Sequence, residues 1–134
     1  MPQKQGNSST AGGRLDGSIG TASVAADFVL GAGWGGSTFE VTAGSNDQRG
    51  EIVITCATGG GLAQATATVV HTFRDGAWAA KPWCTVKCTN DNSLTAASDW
   101  TVSQAATTTT ACTWTFQVLP VNTKIYTVRY EYKA

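Results

Sequence analysis

A chain of 134 residues with nine basic and nine acidic side chains has zero net charge, and only 13% of its residues are charged. That balance leaves no basic field for nucleic acid and no polybasic segment for a membrane surface. Hydrophobic residues make up 42% of the chain and aromatics 9%, with 15 Gly, which excludes the charged, aromatic-poor composition of a disordered polypeptide.

Residues 1–20 carry Gly, Ser and polar side chains with hardly any apolar content, so they are expected to be a flexible or extended N-terminal arm. No apolar run there resembles a signal peptide, and no stretch reaches the 18 apolar residues of a membrane helix. Synthesis in the cytoplasm is the expectation. Residues 22–30 (ASVAADFVL) fit either a short helix or a strand, and GAGWGG breaks the chain after them.

From there apolar residues recur with a period of two. Strands are expected over 37–43, 50–57, 65–74, 81–89, 98–105, 107–119 and 124–132. In 50–57 the sequence puts Ile52, Ile54 and Cys56 on one face. Residues 65–74 do the same with Ala67, Val69, His71 and Phe73, and 107–119 with Cys112, Trp114, Phe116 and Val118. The last strand sets Tyr126, Val128, Tyr130 and Tyr132 against Ile125, Thr127, Arg129 and Glu131. SNDQRG, GGG, DGAW and NDNS mark turns. Seven or eight strands without an intervening amphipathic helix predict an all-β fold. The expected form is an antiparallel β-sandwich over residues 21–134, jelly-roll-like, with an immunoglobulin-like wiring as the alternative. The order Cys56, Trp83, Cys112 mimics the immunoglobulin pattern, but Thr110 stands where its tyrosine would be.

The four cysteines are Cys56, Cys84, Cys88 and Cys112. Cys84 and Cys88 lie in one strand-like run. Four residues of strand span about 13 Å, too far for a bond between those two. Each could meet Cys56 or Cys112 across a sheet pair, or all four could be small buried apolar residues.

Chemical motifs are sparse. GAGWGG satisfies G-x-G-x-x-G in letters, with Glu51 further on, but a strand pattern follows where a dinucleotide site needs a helix. The glycines therefore predict a turn or a close backbone approach. His71, the single histidine, lies on the apolar face of its strand. A zinc knuckle needs a turn between its cysteines, and PWCTVKCT has none. G-x-S-x-G is absent, no pair of carboxylates stands out for glycoside hydrolysis, and NDQ and NDN supply few oxygens for calcium. No catalytic residue, metal or cofactor is assigned. Trp34 and Trp78 sit in turn-like segments among Gly and Ala. There they either present an aromatic surface to a protein or sugar, or close the ends of the sandwich.

The chain also resembles a known family. Gly44, Ser45, Asn46, Asp47, Gly50, Ile52, Ile54 and Thr55 form a first segment, followed by Thr68, Val69, Thr72 and Phe73. Pro82, Thr85 and Val86 form a third, and Leu119, Thr123, Tyr126 and Tyr130 a last. Over roughly residues 37–133 this order is similar to a bacteriophage virion β-sandwich domain found in small head decoration proteins and at tail-fibre ends. Cys56 and Cys112 depart from it, standing where the family has small polar residues.

The resemblance implies a non-enzymatic virion structural protein. A free-standing chain with only an arm ahead of the domain suits a capsid decoration (cement) protein on the virion surface. Its partners would be the major capsid protein and copies of itself, as a homotrimer. Arg14, Leu15 and Ile19 of the arm, with Trp34 and Trp78, are the expected partner-binding residues. The alternatives are a tail-fibre or spike tip that binds host surface glycans, and a small hydrolase acting on cell-surface polysaccharide.

Overall fold

The computed structural model describes residues 10–11, 14–15, 20–90, 100–102, 106–117 and 119–134. The strands in chain order are β1 (Thr10–Ala11), β2 (Arg14–Leu15), β3 (Phe28–Leu30), β4 (Thr38–Val41) and β5 (Arg49–Thr55). They continue as β6 (Thr68–Thr72), β7 (Trp83–Asn90), β8 (Trp100–Val102), β9 (Ala111–Phe116) and β10 (Ile125–Lys133). No α-helix occurs among the described residues. The ambiguous 22–30 segment resolves into a 3-10 turn at Ala25–Asp27 followed by β3. Asp27 closes that turn by accepting the Val24 N–H at 2.9 Å.

Eight of the strands form two antiparallel sheets of four, in the orders β4-β5-β10-β7 and β3-β6-β9-β8. The two sheets pack face to face as a β-sandwich, as the alternation predicts. In the expected arm, β1 and β2 pair with each other, Thr10 opposite Leu15 and Ala11 opposite Arg14. Ile19 lies outside the described residues.

Alternation decides which side chains are buried, because successive residues of a strand point to opposite faces. On β10, Tyr126, Val128, Tyr130 and Tyr132 all point inward and are buried. On β9 the inward set is Cys112, Trp114 and Phe116, and on β5 it is Ile52 and Ile54. Aromatic rings fill most of the gap between the sheets. Trp34 stacks on Phe116 with ring centres 5.7 Å apart, and Tyr126 meets Phe116 edge-on at 5.3 Å. Such pairs add about 0.5–1.5 kcal/mol each beyond the area they bury.

Two glycine positions make this packing possible. Gly50 on β5 faces Tyr130 on β10, and a Cβ there would sit 2.6 Å from the tyrosine hydroxyl and 2.5 Å from Ser45 Cβ. Gly33, in the GAGWGG run, lies against the chain that leads into β6. A Cβ at Gly33 would meet Ala63 O at 2.1 Å and Ala67 N at 2.4 Å. Gly33 also donates its N–H to Thr66 O and accepts one from Ala63. The run is therefore a close backbone approach that folds Trp34 inward, and a strand, β4, follows it.

Candidate functional site

A cluster of groups that could carry chemistry lies inside the sandwich. Asp47, in the turn before β5, and His71 on β6 are both fully buried. His71 Nε2 faces Asp47 Oδ1 at 3.7 Å, and Asp47 Oδ2 accepts the backbone N–H of Asp75. His71 Nδ1 lies 3.0 Å from the Tyr132 hydroxyl, which also accepts the Trp114 Nε1–H at 2.9 Å. An indole nitrogen only donates. The tyrosine oxygen therefore accepts from Trp114 while it pairs with His71 Nδ1, and Nε2 faces the Asp47 carboxylate. Phe28 stacks on the imidazole with ring centres 4.3 Å apart. Burial pushes the Tyr132 hydroxyl well above its ordinary value, so it stays neutral and hydrogen-bonding at physiological pH.

This Asp–His–Tyr–Trp chain has the order of a proton relay but no access to a substrate. An open groove of about 330 Å³ is lined by Thr42–Ser45, Arg49–Glu51, Arg129 and Tyr130. His71, Asp47 and Tyr132 do not border it. Within the groove Arg129 Nε donates to Glu51 at 2.9 Å and Thr42 Oγ1 donates at 2.8 Å. Those two bonds hold the Glu51 carboxyl below its ordinary value, Arg129 having the larger effect. The oxygens of the NDQ turn are engaged by protein groups, with Asp47 turned to His71 and Asp75. Asn46 Oδ1 accepts from the N–H groups of Gln48 and Arg49, and Asn46 O accepts from the Tyr130 hydroxyl. Among the described residues, no group of three His, Cys, Asp or Glu side chains is placed to hold a metal ion.

The outer faces of the two sheets differ in character. Outside the first sheet stand Glu40, Arg49, Glu51, Lys87, Arg129, Glu131 and Lys133, interleaved with Thr and with Val53, Ile125 and Trp83. Outside the second, Val29 faces Val70, and Val70 faces Thr113. Thr68 lies beside Thr115, and Thr72 beside Ala111. No charged side chain stands among these seven, and Val29 is 60% exposed. An antiparallel sheet with one free face ordinarily covers it with solvated polar groups. This Val/Thr row is instead depleted of charge.

The partner-binding residues expected from the sequence fare differently. Arg14 and Leu15 form β2. Trp34 and Trp78 are not exposed. They are 0% and 3% accessible and belong to the core. Trp34 donates Nε1–H to Thr68 O at 3.1 Å, and Trp78 packs edge-on against Phe73 with centres 6.0 Å apart. The small neighbours of each Trp let the ring turn inward rather than project, and the two rings close the sandwich. Among the described residues, the exposed tryptophan is Trp83 on β7, 69% accessible. Its signal was in the alternation, which groups it with Thr85 and Lys87 and against Cys84, Val86 and Cys88.

Comparison with known protein families, characterised proteins and solved structures finds no match to this chain.

Proposed function

We propose that this chain is a non-enzymatic structural protein of a virion, a capsid decoration protein that binds the outer head surface as an oligomer and stabilises it. The observation that carries the reading is the uncharged outer face that β3, β6 and β9 present, with Val29, Val70 and Thr113 in one row. A flat surface of this kind suits broad contact with a shell subunit or a second copy. Repetition over many copies makes weak contacts strong together. The resemblance to virion β-sandwich domains supplies the identity of the partner, the major capsid protein. The trimer rests on that resemblance as well.

The test is cosedimentation of the purified chain with head particles stripped of their decoration. Wild type should pellet with the heads. A Val29→Lys/Thr72→Lys double variant, which places two charges on the face, should stay in the supernatant while keeping its melting temperature. Equal pelleting of both would overturn the assignment of this face.

The second reading, a fibre-tip domain that binds surface glycans, draws on one observation. Trp83 offers an open ring face next to Lys133 on the neighbouring strand. Quenching of its fluorescence by host polysaccharide, absent in Trp83→Ala, would favour that reading over the first.

A further inference from the structure

Cys84 and Cys112 meet across the sandwich. Cys84 stands beside Tyr132 in the β7–β10 pairing, and Cys112 stands beside His71 in the β6–β9 pairing. Tyr132 and His71 touch between the sheets, which brings their strand neighbours to the same place. Each of the two thiols is the largest influence on the other's proton affinity, and Tyr132 and Trp114 act on both. Thr107 Oγ1 lies 3.4 Å from Cys112 Sγ. All four cysteines are free thiols here. Cys88 lies further along β7, opposite Val128. Cys56 follows β5 and donates its N–H to Lys124 O.

We propose that Cys84 and Cys112 are a redox pair that closes into a disulfide on oxidation, stapling β7 of one sheet to β9 of the other. The pairing is independent of what the outer face binds.

The oxidant is a small peroxide. One thiolate of the pair attacks one peroxide oxygen; the O–O bond breaks, that sulfur becomes a sulfenic acid, and the departing oxygen takes up a proton to leave as water. The second sulfur then attacks the sulfenic sulfur. The S–S bond forms, the S–O bond breaks, and the second thiol's proton leaves with the hydroxyl as a second water. Two thiols and one hydrogen peroxide give one disulfide and two waters. Cys84 is half-buried and Cys112 fully buried, so peroxide reaches the pair from the Cys84 side. In a reducing cytosol the pair stays open; in an oxidising medium it closes.

The experiment uses the full chain with all four cysteines. The folded protein is treated with hydrogen peroxide, its remaining thiols are blocked with N-ethylmaleimide in denaturant, and it is digested with trypsin and chymotrypsin together. Cleavage after Trp83, Lys87, Trp100 and Trp114 puts Cys84, Cys88 and Cys112 on separate peptides. The expected result is two blocked thiols and a Cys84–Cys112 linked peptide that disappears on reduction. The oxidised chain should melt several degrees higher, and Cys84→Ser should abolish that rise. Four blocked thiols after treatment, a link through Cys56 or Cys88, or oxidation of Cys112 to sulfinic acid without a link would each overturn the proposal. The wild-type peptide map decides even if a variant fails to fold.

Discussion

His71 Nδ1 lies 3.0 Å from the hydroxyl of Tyr132, and this contact joins an interior strand of one sheet to an interior strand of the other. Trp114 donates to the same oxygen, so one hydroxyl serves two buried groups. Tyr132→Phe keeps the ring and takes a partner from each. The expected cost is about 1–3 kcal/mol, the penalty for removing one side of a buried hydrogen bond. It should appear as a lower urea midpoint at unchanged slope. A variant within about 0.5 kcal/mol of the parent would mean the hydroxyl does not tie the sheets.

Two glycines of the same motif should respond in opposite ways. Gly33→Ala drives a methyl into the backbone of residues 63–67, which cannot yield, and should cost about 3 kcal/mol or prevent folding. Gly36→Ala meets only Ala57 Cβ, at 3.9 Å, and should change stability by less than about 0.5 kcal/mol. A thermal melt of each variant is sufficient. Similar melting temperatures would refute the close-approach account of GAGWGG.

The tryptophans divide in the same manner. Trp34→Ala removes a fully buried ring and should cost about 3–5 kcal/mol. Trp83→Ala, at an exposed position, should leave stability within about 0.5 kcal/mol. Chemical denaturation of both variants checks this, and the reverse ranking would contradict the packing described here.

Alkaline pH should unfold the protein. Burial is the first cause that raises both Tyr130 and Tyr132 above the ordinary value of 10.0. A group whose folded pKa is raised contributes stability that is complete below its unfolded pKa. That contribution is lost as the pH climbs toward the folded value. Stability should therefore be insensitive to these tyrosines below about pH 9 and fall steadily above about pH 10. Absorbance at tyrosinate wavelengths should rise together with loss of structure. Ionisation of every tyrosine near pH 10 with the fold intact would contradict it.

Much of the fold was legible because strand alternation is a strict signal. The expected 50–57 and 124–132 strands appear as Arg49–Thr55 and Ile125–Lys133, with the inward residues as read. The 22–30 segment was ambiguous because its strand is only three residues long and a 3-10 turn precedes it. The direction of the loop tryptophans is harder to read. Trp34 and Trp78 were singled out for their loop-like neighbours, but local composition does not say which way a ring turns. That depends on Gly33 meeting residues 63–67, a contact between distant parts of the chain. Likewise, the uncharged face exists only once β3, β6 and β9 are placed side by side, which a single strand's pattern cannot reveal.

The proposed place of this chain is the surface of a virion head. Immunogold labelling of intact particles with an antibody against the chain tests it most directly. The account predicts label spread over the head. Label confined to the tail tip, or particles without label, would contradict it.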